Sequence, residues 1–374
     1  MATGFSVLTL TGPRQSGKTT LVRKTFPDYA YLSLENLDVM AAAREDPRRF
    51  LGSHKDQGVI IDEAQKVPEL FSYLQGIVDE SGLMGRYILT GSQNFLHLEQ
   101  ISQSLAGRTA VLHLLPFTRE ELDAARSAPK ALDSTLFEGS YPPVYDRPVA
   151  AVDFYPAYTE TYLERDLRSM KNIGDLSLFR KFLILCAGRT GQLLNMSALG
   201  NEVGIDHKTV ASWISVLEAS FVVFLLRPHH KNWKKRLVKQ PKLYFYDTGL
   251  LCSLLGLRGS DELAGHHMRG NIFECYVIAE HMKARFHRGL RPNAYFWRDH
   301  SGHEIDLLIE EGSRLRAVEI KSAETLHSSF FDGLKWFART SGLGAEDCQL
   351  VYGGNLRQNR QGGEVIPWNE IPRT

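Results

Sequence analysis

Gly12-Pro13-Arg14-Gln15-Ser16-Gly17-Lys18-Thr19 fits the pattern G-x-x-x-x-G-K-[ST] at every position. Before it stands Phe5-Ser6-Val7-Leu8-Thr9-Leu10, an apolar run that predicts a buried strand. After it stands Thr20-Leu21-Val22-Arg23-Lys24, which predicts the first turns of a helix. Strand, glycine-rich loop and helix are the context in which the pattern means phosphate binding. Backbone N–H groups of such a loop and the open end of the helix form an anion cradle. The cradle takes in Gly12, Pro13, Arg14, Gln15, Ser16, Gly17, Lys18, Thr19 and Thr20. In it Lys18 reaches the β- and γ-phosphates of a nucleotide, and Thr19 holds Mg²⁺.

The chain has 374 residues, which suits two or three domains at about 100–200 residues each. Its formal net charge of +1 gives no global argument for nucleic acid, so any such argument rests on local patches. Cys186, Cys252, Cys275 and Cys348 are far apart and form no C-x-x-C. That pattern suits a reducing compartment and argues against a zinc site or a disulfide framework. No apolar run approaches the ~20 residues of a membrane span, and the N-terminus carries no secretory pattern. The expectation is a cytoplasmic protein with no membrane partner.

Tyr29 to Leu34 predicts a second strand, followed by a polar helix from Asn36 to Phe50. Gly58-Val59-Ile60-Ile61-Asp62-Glu63 reads as a buried parallel strand whose C-terminal end points at the nucleotide crevice. Asp62 then belongs to the Mg²⁺ shell, and Glu63 orients and deprotonates the attacking water. The plain alternative for this pair is a helix N-cap after a strand. Arg86 to Gln93 is a further strand, at whose tip Thr90 or Ser92 either senses the γ-phosphate or closes a turn. A last strand runs from Val111 to Leu114. Arg108 sits just before it, placed either as a transition-state arginine, within the chain or across a homo-oligomer interface, or in a surface salt bridge.

The segments GPRQSGKTTL, VIIDEAQ, YILTGSQ and SLAGRTAVLHLLPF together resemble the AAA-type ATPase domain of a large prokaryotic family. Its members join that ATPase to a C-terminal region long catalogued as a domain of unknown function. The resemblance covers essentially the whole chain and implies ATP hydrolysis. Such proteins usually carry a helical segment before the first strand. Only about five residues precede it here, so part of the adenine pocket is expected to be either missing or supplied from elsewhere.

Pro142-Pro143 and Pro148 punctuate a loop-rich link, and helices are expected from Tyr155 to Met170 and from Leu178 to Ala187. This stretch reads as a helical lid, in which Arg165 and Arg168 either meet phosphate or lie on a solvated helix face. Met196 to Ile205 predicts a short helix with a glycine-containing turn, and Asp206 to Glu218 a second helix with Asp206 as its N-cap. Val210, Ile214 and Leu217 share one face of it, leaving His207, Lys208, Ser212 and Ser215 exposed. Phe221–Leu226 and Lys242–Tyr246 read as strands flanking the basic link His229-His230-Lys231-Asn232-Trp233-Lys234-Lys235-Arg236. Two helices and a hairpin with a basic tip describe a winged helix. Its partner is either DNA, through the basic wing, or a protein.

Gly270 to about Phe286 predicts a long helix, followed by strands over Ala294–Arg298, Glu304–Ile309 and Arg316–Lys321. Alternation puts Ile305, Leu307 and Ile309 on one side of their strand and Asp306 on the other. Likewise Val318 and Ile320 face the core, while Glu319 and Lys321 share the opposite face. Two carboxylates and a lysine thus meet on one surface, with Glu274 available from the helix. Carboxylates suit Mg²⁺, which activates water and polarises a phosphodiester, and a lysine stabilises developing charge. Asp306 … Glu319-x-Lys321 with a helical Glu274 looks like the core of PD-(D/E)xK nucleases. That likeness implies either a nuclease or a retained fold used only for binding.

The expected architecture is α/β: a P-loop AAA-type parallel-sheet domain (1–115), a helical lid and linker (116–190), a winged helix (191–260) and a restriction-nuclease-like α/β domain (261–374). The expected function is ATP hydrolysis with Mg²⁺ by a DNA-binding protein whose C-terminal domain is nuclease-like. The alternative is an ATP-dependent switch that docks protein partners, with an inactive C-terminal domain.

Overall fold

Val7, Val59, Ile61, Tyr87 and Leu89 fall in one buried cluster, and Leu8, Leu10, Ile60 and Ile88 fall in another. Successive strand residues point to opposite faces, so these strands are apolar on both sides, as parallel strands between helices must be. They are β1 (Val7–Thr11), β3 (Val59–Asp62) and β4 (Tyr87–Gly91) of a sheet completed by β2 (Ala30–Ser33) and β5 (Thr109–His113). The order is β2-β3-β4-β1-β5 and every pairing is parallel. This is a computed structural model, and it describes residues 4–54, 57–92, 105, 107–163, 175–229 and 239–371.

The chain divides into two compact units. The first holds residues 1–116 with 219–221 and 286–289, and contains this sheet. Because β3, β4 and β1 are neighbours, the loop after Thr11, the Asp62-Glu63 pair and Ser92 gather at one end of it. The helix expected from Asn36 to Phe50 is two, Leu37–Glu45 and Pro47–Gly52. Pro47 disfavours helical backbone at Asp46, and the Asp46 carboxylate caps the second helix by accepting from the Arg49 N–H at 2.9 Å.

The second unit holds the rest of the chain. Thr118 and Glu121 close a reciprocal capping box on the helix Arg119–Ala124. The helix read from Tyr155 runs Ala151–Tyr158 and continues as a π-turn over Thr159–Leu163; Arg165 and Arg168 lie outside the described residues. The helices Leu176–Ala187, Met196–Val203 and His207–Ala219 follow, and Trp213 of the last meets Phe179 and Phe182 of the first edge-on, each at 5.2 Å. Strands β6 (Val223–Leu226) and β7 (Lys242–Phe245) form an antiparallel ribbon.

A six-stranded mixed sheet follows: β8 (Ala294–Arg298), β9 (Glu304–Glu311), β10 (Arg314–Lys321), β11 (Cys348–Tyr352), β12 (Gln358–Arg360) and β13 (Gly363–Pro367). Its order is β12-β13-β11-β10-β9-β8. The helix Asp332–Ser341 links β10 to its parallel neighbour β11. Beyond β6, Pro228 bridges Phe296 of β8, and the N–H of His229 donates to the Phe296 carbonyl at 2.8 Å. The ribbon is thereby stitched to the edge of the sheet.

Asp247 is the buried joint of this unit. Its Oδ2 accepts from the Ser140 N–H at 2.7 Å and hydroxyl at 2.9 Å, while Oδ1 caps the helix Thr248–Leu254 through the Leu250 N–H at 2.8 Å. Lys283 donates to the same Ser140 hydroxyl at 3.0 Å and to the Phe117 carbonyl at 2.8 Å. Asp247→Ala strands several buried donors at once. It should cost about 3 kcal/mol, read by calorimetry as a melting temperature lower by about 6 °C or more.

Candidate functional site

The glycine-rich loop is shaped by two positions. A Cβ on Gly12 would fall 2.0 Å from the Leu114 carbonyl oxygen, so only glycine lets the loop leave β1 there. Gly17 ends the loop at φ 91°, a left-handed conformation, and the helix Lys18–Thr25 begins after it with no side chain capping its first N–H groups. Ser16 is buried, and its Oγ has no hydrogen-bond partner among the described residues. An unpartnered hydroxyl and uncapped N–H groups lining one loop are what an anion would satisfy. Gln15 and Thr20 are exposed, and Arg14 makes an ion pair with Glu35 at 3.6 Å.

Lys18 is buried, and its Nζ donates to the carbonyls of Gly12 at 3.0 Å and Pro13 at 2.7 Å. Burial lowers its pKa to about 8 against the opposing pull of Glu63 and Asp62. Asp62 closes β3 and is a hub. Its Oδ2 accepts from Thr19 Oγ1 at 3.0 Å and from the Tyr31 hydroxyl at 2.6 Å, and its Oδ1 accepts from Thr90. Thr19 and Asp62 together offer hard oxygen donors, the set Mg²⁺ takes. Tyr31 is pushed up to about 12, by burial first and then by its bond to Asp62.

Glu63 stands in left-handed backbone at φ 55°. Its Oε2 accepts from Ser92 Oγ at 3.0 Å and from Gln65 Nε2 at 2.6 Å, and Gln65 also donates to Ser92 at 3.3 Å. The strand-tip residues therefore divide: Thr90 goes to Asp62 and Ser92 to Glu63. Arg108 forms a two-pronged pair with Asp79, at 2.6 and 2.8 Å. Neither Tyr31 nor Gln65 was picked out from sequence. Tyr31 needs the β2–β3 pairing to bring it to Asp62, whereas Gln65 stood in view in the same segment as Asp62-Glu63.

In the second unit, Asp206 caps the helix His207–Ala219 as expected, accepting from Lys208 N at 2.7 Å and from Thr209 N at 3.0 Å. His207, Lys208 and Ser215 are exposed; Ser212, expected beside them, is half-buried. His229 is buried, while the rest of the basic link, 230–236, lies outside the described residues.

Strands β9 and β10 do bring Asp306, Glu319 and Lys321 together. Lys321 Nζ lies 2.9 Å from Glu319 Oε2 and 3.4 Å from Asp306 Oδ2, which also accepts from the Ile320 N–H at 2.8 Å. They share one face as expected; Glu319 is buried there, while Lys321 keeps 36% of its side chain exposed. Glu274 turns instead to Lys242 and to the Tyr244 hydroxyl of β7. Burial raises the pKa of Glu319 and Glu274, Asp306 adding to both shifts, while Lys321 and further partners outweigh burial and hold Asp306 low. Among the described residues no group of three or more His, Cys, Asp or Glu is placed to hold a metal ion.

The pattern of a family described as "AAA domain" matches residues 4–122. Two described as domains of unknown function, DUF8612 and DUF4143, match 129–261 and 269–371. The Mycobacterium tuberculosis protein Rv2008c is 32% identical over 327 residues, spanning 85% of this chain and 71% of its own. Mb2031c of Mycobacterium bovis gives the same figures. The chain belongs to this family of AAA-domain proteins with a C-terminal DUF4143 domain.

The parallel sheet and glycine-rich loop are thus those of an AAA-type ATPase domain. A STAND-type signal-transduction ATPase with a tetratricopeptide repeat sensor from Pyrococcus horikoshii aligns at 12% identity over 78% of this chain and 46% of its own. Its TM-score of 0.28 is too low to carry an argument. No helix among the described residues is long and apolar enough to cross a membrane. If the Tyr31 bond orients Asp62, Tyr31→Phe should raise the Mg²⁺ concentration needed for half-maximal ATPase several-fold without changing the melting temperature. A magnesium titration at saturating ATP checks this.

Proposed function

We propose that this chain is an ATP-hydrolysing switch, with ATP on the Gly12–Thr19 loop and DNA as the partner of the winged helix. The observation that carries the catalytic reading is the division of labour around β3: Asp62 meets Thr19, and Glu63 meets Ser92 and Gln65. Lys18 exchanges its bonds to the Gly12 and Pro13 carbonyls for the β- and γ-phosphates. Thr19 and Asp62 would hold Mg²⁺, which would supply neutralisation of phosphate charge. Glu63 takes the proton of the attacking water, with Ser92 and Gln65 fixing its carboxylate. Arg108 serves a neighbouring subunit of a homo-oligomer once its two-pronged pair with Asp79 opens.

The DNA reading rests on the capped helix His207–Ala219, which presents His207 and Lys208 at its exposed start, and on the basic residues 230–236 of the sequence. The near-zero net charge favours a second reading, a switch that docks protein partners.

Lys18→Ala should abolish nucleotide binding, and unchanged ATP affinity would remove this reading. Glu63→Gln should keep ATP affinity yet turn over at least ~10²-fold more slowly, the usual worth of a general base. Near-normal turnover would place the base elsewhere. ATPase assayed with and without duplex DNA, beside a solution mass with ATP, separates the two partners. DNA-stimulated turnover supports the first, and turnover indifferent to DNA the second.

A further inference from the structure

The acidic cluster of the second unit contains a cation that the nuclease-like pattern does not include. Lys242 opens β7, and its side chain is only 3% exposed. Its ammonium lies 3.0 Å from Glu274 Oε1 and pairs also with Glu304, whose other oxygen is 3.0 Å from Arg298. On the far side of the same cluster Lys321 bridges Asp306 and Glu319. The carboxylates Glu274, Glu304, Asp306 and Glu319 are thus met by Lys242, Arg298 and Lys321.

Glu319 Oε1 is backed by close-packed main chain, and Glu274 Oε2 faces Gly191 at a looser distance. A Cβ on Gly333 would sit 2.3 Å from Glu319 Oε1, and one on Gly191 would sit 3.5 Å from Glu274 Oε2. Divalent cations of the Mg²⁺ type need several ionised oxygens converging on an open point, with room for water. Here the convergent point of Glu274 and its neighbours is taken by an ammonium group. The residues therefore do not fit a divalent metal as they are arranged.

We infer that Lys242 is the resident cation on the Glu274 and Glu304 side of this cluster, as Lys321 is on the Asp306 and Glu319 side, so that the carboxylates form a self-compensated charge network and the Asp306/Glu319/Lys321 set does not cleave phosphodiesters. The network ties the β6–β7 ribbon, at its β7 end, to the helix bearing Glu274 and to β9. This inference stands apart from the ATPase reading, since no residue of the glycine-rich loop enters it.

The test is Mn²⁺ binding by calorimetry on the full chain without nucleotide, with Asp306→Asn as the reference that subtracts any binding elsewhere. Wild-type protein should show no Asp306-dependent Mn²⁺ binding and no nicking of plasmid DNA in Mg²⁺ or Mn²⁺. Lys242→Met, which keeps the bulk and removes the charge, should melt about 6 °C or more lower, because it leaves buried carboxylates unpaired. It should gain Mn²⁺ binding that Asp306→Asn abolishes. Should that protein fail to fold, Lys242→Met with Glu304→Gln removes one charge of each sign and should fold and gain the same binding. Asp306-dependent Mn²⁺ binding or nicking in the wild type overturns the inference. So does a folded Lys242 variant that gains no Mn²⁺ binding.

Discussion

A lysine ammonium taken out of water must be met by an anion or by a set of carbonyl oxygens. Three lysines are buried among the described residues, and they solve this in different ways. Lys283 has Glu280 at 2.5 Å together with the Ser140 hydroxyl and the Phe117 carbonyl. Lys242 has Glu274 and Glu304, and these carboxylates with Asp306 outweigh burial and raise its pKa. Among the described residues Lys18 has the carbonyls of its own loop as its bonding partners, and burial brings its pKa down to about 8. Its surroundings lack the contact anion that the other two possess. A phosphate on the loop would supply that anion, which separates a lysine that is a structural tie in two places from one suited to a ligand in the third.

The loop was legible because every requirement it carries is local. Gly12 and Gly17 are needed for backbone reasons within a few residues of Lys18, and strand, loop and helix follow one another along the chain. Asp62 and Glu63 were legible because an apolar run ending in two acids has few other uses beside such a loop. Tyr31 was not, since its hydroxyl reaches Asp62 only through the β2–β3 register that pairs Ser33 with Asp62. The broken helix was written in the chain as Asp46-Pro47, a stop signal that an otherwise helical composition masked. Strands β11 to β13 went unread; they follow a glycine- and polar-rich stretch, and their identity comes from pairing with β10.

The C-terminal cluster shows the limit of alternation as an argument. Period two correctly separates Glu319 and Lys321 from Val318 and Ile320. It says nothing about whether the polar side faces water. Here Leu308, Leu315 and Ala317 lie in one core cluster with Phe331, Leu334 and Phe337 of the crossover segment. Gly333 of that segment passes directly over Glu319. Burial on that face is a non-local fact, and so is Lys242, which arrives from a ribbon more than sixty residues before Asp306.

The persistence of an Asp–Glu–Lys set is therefore weak testimony for cleavage. Removing one member of a buried ion network leaves its partners uncompensated and costs about 3–5 kcal/mol, whereas exchanging the whole set for apolar residues together is often neutral. Single substitutions explore only the first route. Once Glu274, Asp306 and Glu319 are paired with Lys242 and Lys321, each residue is held by the others whether or not a metal ever enters. The glycine-rich loop is the opposite case. Among the described residues Ser16 is buried without a hydrogen-bond partner and Lys18 without a contact carboxylate, arrangements that a phosphate would satisfy. Unsatisfied groups point to a ligand more strongly than satisfied ones do, which is why the nucleotide site carries the functional conclusion and the acidic cluster does not.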